Sequence, residues 1–407
     1  MTHPPHSSLS AANFRIVDLF AGPGGLDIAA TIMDGVESIG VEWDDPTRAT
    51  RHAAGLLTTT EKNVAALGPC DPEVVEANVL TGGPPCQSFS VAGNREGHKA
   101  LEDVKRLASC LVGHTTWTSF DRAWQAVKKE TDAMSDDRTG LVLQPLRWIV
   151  EAKLRRRKPY EVIVLEQVPT VLPVWKHYVE LLRRTGYAAE AHVLHSEDFG
   201  VPQARRRAVL IAQWDPRNTL RKVHFPRPTH QRYRKGVERL HAPASSHDRV
   251  GQQTIGDAEE APLPWVSMGD ALGTRRPEQF VMVSNYGSGG DPKDRGRRTS
   301  SEPAATVTGK VRRNRLYLLK GTGPDDWRDG EELDRLSFEE AGLLQSFPAA
   351  YPWRSTDIAQ QIGNAIPPRM SLHILSTALR GKAPEKEWLE ALATWRPPTT
   401  EDDSADA

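Results

Sequence analysis

The sequence predicts an α/β fold, with a mixed, mostly parallel sheet in one large unit and a second, small, loop-rich unit. Three observations lead there. Phe14-Arg15-Ile16-Val17-Asp18-Leu19-Phe20 reads as a buried strand, followed by the turn Ala21-Gly22-Pro23-Gly24-Gly25 and a helical run over residues 26–30. Strand, glycine-rich turn and helix in that order open a nucleotide-binding α/β unit. Tyr160-Glu161-Val162-Ile163-Val164-Leu165 is a β-branched run of the kind that fills a buried parallel strand. Over residues 214–334 the texture changes: proline, glycine, arginine and histidine dominate and periodicity is poor.

The chain has 407 residues, enough for two domains and a large core. A hydrophobic content of 38% with 26% charged residues excludes disordered and fibrous classes. No apolar run is long enough to span a bilayer, and residues 1–12 lack a signal-peptide pattern, so a cytoplasmic protein without membrane contact is expected. The three cysteines, Cys70, Cys86 and Cys110, have neither metal-ligand spacing nor the even count of a disulfide scaffold. No metal is therefore expected. The net charge of -1 does not announce a polyanionic partner. Local charge does: residues 155–158, 205–207, 217–235, 295–298 and 310–315 are basic, while acids gather at 401–406.

After the glycine turn, Ser38-Ile39-Gly40-Val41-Glu42-Trp43-Asp44 reads as a second strand ending in an acid. Such an acid suits hydrogen bonding to ribose hydroxyls, and Trp43 either stacks on a purine or packs in the core. No Gly-Lys-Ser/Thr follows the turn, and only Arg15 is basic nearby, so adenosine without phosphates fits best. That points to S-adenosylmethionine rather than a dinucleotide. Asn63-Val64 is expected to end a third strand, and Asn78-Val79-Leu80 a fourth. Behind the fourth stands Thr81-Gly82-Gly83-Pro84-Pro85-Cys86-Gln87-Ser88-Phe89-Ser90, a thiol on a turn that two prolines make rigid. Helices are expected over 103–111, 120–129, 141–154, 175–185, 336–345 and 369–380, and strands over 160–165, 188–194, 208–213, 280–283, 305–308 and 315–319. Glu166 closes the 160–165 strand, at the sheet edge where parallel sheets bind ligands. Arg205-Arg206-Arg207 can clamp a phosphate or a base carbonyl.

These blocks, with Leu336 to Pro348 and Gly363-Asn364-Ala365-Ile366-Pro367-Pro368, occur in the order found in bacterial DNA cytosine-5 methyltransferases, and the chain resembles that family over residues 14–380. The resemblance implies a Rossmann-like methyltransferase domain over 13–213, with an extra helical segment at about 98–136. It implies a target-recognition domain over 214–334, a return to the catalytic domain over 335–382, and tails at 1–12 and 397–407 that are expected to be disordered. It implies methyl transfer from S-adenosylmethionine to C5 of cytosine in a specific duplex sequence, releasing S-adenosylhomocysteine. Cys86 becomes the nucleophile at C6, Glu166 the acid at N3, Arg207 the clamp on the O2 side and Arg205 the residue that orders the loop. Cofactor contacts fall on Phe20, Ala21, Gly22, Gly24, Gly25, Glu42, Trp43, Asn63, Pro85 and Asn364. DNA contacts fall on Gln87, Ser90, Gln203, Arg205, Arg297 and Arg312, with the base flipped out of the stack. A monomer is expected, either solitary or beside a cognate restriction endonuclease with which it forms no stable complex. An RNA cytosine-5 methyltransferase and a catalytically silent DNA-binding relative are the alternatives. Three departures stand out: Gln167 replaces the family's asparagine after Glu166, Asn63 an aspartate and Asn78 a common acid.

Overall fold

The computed structural model describes residues 13–85, 95–134, 137–219, 222–241, 261–284, 296–321 and 330–398. Six strands form the main sheet: β1 (Phe14–Leu19), β2 (Val36–Val41), β3 (Val79–Gly82), β4 (Val162–Gln167), β5 (Tyr187–His195) and β6 (Arg206–Trp214). Their order is β2-β1-β3-β4-β6-β5, and only β6 runs against the others. Side chains alternate across the sheet with the period of two that a strand imposes. Ile163 and Leu165 enter one core with Leu19 and Leu80, whereas Val162 and Val164 enter the other with Ile16 and Val79.

The first core is covered by α3 (Arg95–Cys110), α4 (Trp117–Asp132), α5 (Gln144–Glu151) and α6 (Leu172–Thr185). On the second lie α1 (Asp27–Ile32), α10 (Pro368–Arg380) and α11 (Lys386–Thr394). Helix α2 (Asp45–Ala53) begins where Asp44 caps the Thr47 amide at 2.9 Å, with proline in its first turn. A 3-10 turn leads into α5 and a π-helical turn leaves it, so residues 141–154 are not one α-helix. The pair α3 and α4 occupies the extra segment and is anchored by Leu101, Val104, Leu107, Phe120 and Val127 in the first core.

A second, antiparallel sheet has the order β10-β9-β7-β8, from β7 (Phe280–Val283), β8 (Arg297–Thr299), β9 (Arg315–Leu318) and β10 (Glu332–Leu333). With α7 (Met268–Leu272), α8 (Phe338–Leu344) and α9 (Ile358–Asn364) it encloses a third core around Phe280, Leu316 and Leu344.

Two strand expectations fail. Asn63-Val64 ends no strand, because the Asn63 Oδ1 accepts the Ala65 amide at 2.9 Å and turns the chain. The cysteine loop thus follows the third strand rather than a fourth. Residues 305–308 form no strand either: Ala304 makes one bridge with Gln203, after which the Val307 amide turns to the Gln203 side chain. Sequence periodicity also passed over α2, α7, α9, α11, β8 and β10, all short.

Candidate active site

The carboxyl ends of β1 to β4 bring four segments to one edge. After β1 the turn takes left-handed conformations at Phe20 (φ 61°), Gly22 (φ 57°) and Gly24 (φ 100°). Phe20 is the costly one, since left-handed backbone opposes an L side chain by ~1–2 kcal/mol. The Gly22 amide donates to Glu42 Oε2 at 2.8 Å, and the Asp44 amide to Oε1 at 2.8 Å. These bonds fix the carboxylate at the end of β2. Burial raises the Glu42 carboxyl above its ordinary range, against the pull of the two amides and Arg51. Beside it Trp43 is 68% exposed, so its packing alternative is excluded. A Cβ built on Gly22 would meet no atom within 4 Å, so the turn is open there. Gly25 is closed: a Cβ would fall 2.1 Å from the Ile366 carbonyl, which is how the motif at residues 363–368 comes under the turn.

A network that the sequence did not announce supports this turn. Arg51, fully buried, pairs with Asp27 at 2.7 Å and donates to the Leu57 carbonyl (2.9 Å) and Thr58 Oγ1 (3.0 Å). Ser38 donates to Asp27 at 2.7 Å, and the Tyr351 hydroxyl bonds the Pro23 carbonyl. Asp18 accepts from Thr81 Oγ1 at 2.6 Å; burial, then the Asp27 charge, pushes its carboxyl well above the ordinary range.

Glu166 ends β4 beside the base of the cysteine loop, its Oε2 within 3.5 Å of where a Gly83 Cβ would stand. Arg207 Nε lies 2.6 Å from Glu166 Oε1, but no aligned hydrogen bond reaches that oxygen among the described residues. Burial raises the Glu166 carboxyl, and Arg207 and then Arg205 oppose it. Gln167 joins the two strand ends: its Nε2 donates to the Pro84 carbonyl at 2.8 Å and its Oε1 accepts the Val168 amide at 2.6 Å.

Cys86, Gln87 and Ser90 lie outside the described residues. Pro85, half-buried, is the last described residue before them. Asn364 is exposed at the end of α9, with its Oδ1 held by Gln360 at 2.7 Å. Asn63 sits in its own turn, half-buried. Two of the expected DNA contacts need correction. Gln203 is fully buried, donating to Gln345 Oε1 (2.7 Å) and accepting the Val307 amide (2.6 Å). Arg205 is buried too, and donates to the carbonyls of Val307 (2.8 Å), Gly363 (2.8 Å) and Ala365 (3.0 Å). With the guanidinium spent on three carbonyls it orders a loop and does not face solvent. Arg297 starts β8, and the exposed Arg312 lies over the Phe338 ring at 5.0 Å.

An open glycine turn, a fixed acid with an exposed tryptophan and a half-buried glutamate paired with arginine define a Rossmann-like methyltransferase. The model of the C-5 cytosine-specific DNA methylases matches residues 14–105 and 127–380, and the chain belongs to that family. Between those two stretches the match omits residues 106–126, most of the α3–α4 hairpin. The type II methyltransferase M1.HphI of Haemophilus parahaemolyticus is 26% identical over 75% of this chain and 69% of its own. The type II methylase M.HgiDII of Herpetosiphon aurantiacus is 24% identical over 86% and 91%. Among solved structures, the Dnmt2 methyltransferase of S. pombe superposes with a TM-score of 0.54 at 15% identity, covering 91% of this chain and 99% of that one, a likeness of fold. The protein is a DNA cytosine-5 methyltransferase, and family and fold imply S-adenosylmethionine as methyl donor. No helix among the described residues is long and apolar enough to cross a membrane.

Proposed function

We propose that the chain methylates C5 of cytosine in a specific duplex sequence through a covalent Cys86–C6 adduct, on a base turned out of the helix. The observation that carries this reading is Glu166, a half-buried side chain at the base of the cysteine loop whose proton affinity is raised. C5 of cytosine is a weak nucleophile. Addition of the Cys86 thiolate at C6 breaks the C5–C6 double bond and sends its electron pair toward N3, where Glu166 donates its proton. The ring is then nucleophilic at C5. S-adenosylmethionine supplies an electrophilic methyl group. With the methyl on C5, the N3 proton returns to Glu166; a base, water included, then takes the C5 proton, and the electron pair left behind re-forms the C5–C6 double bond and expels the Cys86 thiolate. Arg207 holds the Glu166 side and the O2 edge of the base. Gln167 sets the height of the loop base against Glu166.

The cofactor fits the glycine turn. Glu42, fixed by two amides, takes the ribose hydroxyls; Trp43 stacks on adenine; Gly22 leaves room for the chain between them. Phe20, Ala21, Gly24, Gly25, Asn63, Pro85 and Asn364 complete the proposed contacts. The region 214–334 reads base edges in the major groove, with Arg297 and Arg312 on phosphates and Gln87 and Ser90 at the vacated base position. The protein acts as a monomer, and a restriction endonuclease of matching specificity is its companion in the cell.

Incubation of unmethylated genomic duplex with methyl-labelled cofactor tests the reading. Wild type labels the DNA, Cys86→Ser does not, and bisulfite mapping returns one sequence context. A duplex with 5-fluorocytosine at that context traps wild type covalently. Absence of label with wild type sinks the proposal, and trapping on tRNA in place of duplex moves the substrate to RNA.

A further inference from the structure

The basic run at residues 155–158 has no part in the reaction just described, and topology places it. Strands β4 and β5 run in one direction and β6 in the other, with Val162 opposite Gln213 and Tyr187 opposite Trp214. The segments before β4, before β5 and after β6 therefore meet at one end of the sheet. That end is opposite Glu166 and Gln167, separated by the length of β4, roughly 20 Å. The three segments touch. Lys153 Nζ donates to the Thr185 carbonyl at 2.8 Å and lies over the Trp214 ring at 5.4 Å, and the Asp215 amide donates to Gly186 at 2.9 Å.

They carry Arg157 and Lys158, Arg183 and Arg184, and Arg217, all exposed. Among the described residues Arg157, Arg184 and Arg217 enter no ion pair. The acids nearby are few and mostly engaged. Glu151 is buried between Arg147 and Arg155; Asp215 is buried and caps Thr219; Glu76 faces Lys158; Glu161 accepts from Asn78. Cations at helix ends relieve the macrodipole, which accounts for Arg155, Arg156, Arg183 and Arg184. It does not account for Lys158, beyond its helix end, or Arg217, near none. Arg157 holds a left-handed φ of 57°, a position that glycine normally fills, and there it presents a guanidinium to solvent.

We infer that this face, at the amino end of the sheet, binds the phosphate backbone of a second duplex DNA segment while the first lies at the catalytic edge. The inference rests on the chain acting on DNA. A duplex is stiff over about 150 base pairs, so a short one held at one end of the sheet does not bend round to the other. Contact here is made with a separate molecule or with a distant part of the same one. The recognition is of charge alone and blind to sequence.

The full chain, seated on an immobilised 30-base-pair duplex, is offered a fluorescent duplex of unrelated sequence at 50 mM salt. Wild type captures it. Raising salt to 200 mM weakens the part of the affinity due to three phosphate contacts about 40-fold, from a slope of ~0.9 per phosphate. The variant R157E/K158E/R184E, and the milder R157Q/K158Q/R184Q, lose capture while methylating genomic DNA within twofold of wild type. Capture by the reversed variant at the wild-type level overturns the inference. So does a wild type that methylates but captures nothing, or captures single-stranded RNA and no duplex. A wild type that does not methylate at all counts against the enzyme reading beneath it, and the same samples report both.

Discussion

Glutamate in place of Gln167 separates the two hydrogen bonds of that side chain with little change of shape. The bond from the Val168 amide (2.6 Å) survives, because a carboxylate also accepts. The bond to the Pro84 carbonyl (2.8 Å) does not, and two oxygens face each other across it. Loss of a neutral hydrogen bond costs ~1 kcal/mol, and a part-buried carbonyl left without its donor adds ~1–3 kcal/mol. About 3 kcal/mol in all falls on the joint between the cysteine loop and Glu166. If that joint matters chiefly in the transition state, kcat drops roughly 100-fold, at 1.4 kcal/mol for each tenfold. Gln167→Asn keeps both groups one methylene shorter and stays within about tenfold of wild type. The glycine turn and Glu42 belong to β1 and β2, beyond β3 from Gln167, so S-adenosylhomocysteine affinity by calorimetry shifts less than about threefold. Single-turnover methyl transfer reads the rate. A Gln167→Glu enzyme at the wild-type rate refutes the reasoning, as does a fall in cofactor affinity equal to the fall in rate.

Gly22→Ala introduces a methyl where φ is 57° and no protein atom lies within 4 Å. The strain of ~1 kcal/mol lowers Tm by only about 2 °C, while S-adenosylhomocysteine binding weakens tenfold or more. Unchanged cofactor affinity in that variant removes Gly22 from the site. Asp18→Asn tests the buried carboxyl under the turn. Its folded pKa lies above the unfolded one, so wild type takes up a proton on folding. The stability this group contributes is full below the unfolded pKa and is lost as pH rises through the folded value. Asparagine has no such loss and still accepts from Thr81. Melting curves from pH 5 to pH 8 therefore diverge in favour of the variant as pH rises, and parallel curves contradict the assignment.

The residues that were legible in the sequence sit at strand ends, where a period of two gives way to a turn. Glu42, Trp43, Glu166 and the glycine turn all have that address, and the sheet delivers them to one edge. Arg51 had no such mark, since on α2 it looks like any basic residue of a surface helix. Its trace lies in Gly40, inside β2, where a Cβ would fall 2.0 Å from the Arg51 guanidinium. A glycine within a strand is a sign of close approach. Gln203 and Arg205 misled in the other direction. The family resemblance put them on DNA, but their partners lie about 100 to 160 residues further along, and burial at that separation leaves no local pattern.

The seam at Gln203 and Arg205 bears on how freely the small-sheet unit can change its sequence. Gln203 takes the Val307 amide, Arg205 donates to the Val307 carbonyl, and the Ala204 amide donates to the Ala304 carbonyl at 2.8 Å. Over residues 304–307 these partners are main chain apart from Thr306, which donates its hydroxyl to the Ala204 carbonyl. A joint that grips backbone is indifferent to which side chains the incoming segment carries. Side chains elsewhere in the small-sheet unit can then change without refitting the socket, provided the chain passes Ala304 and Val307 along the same path.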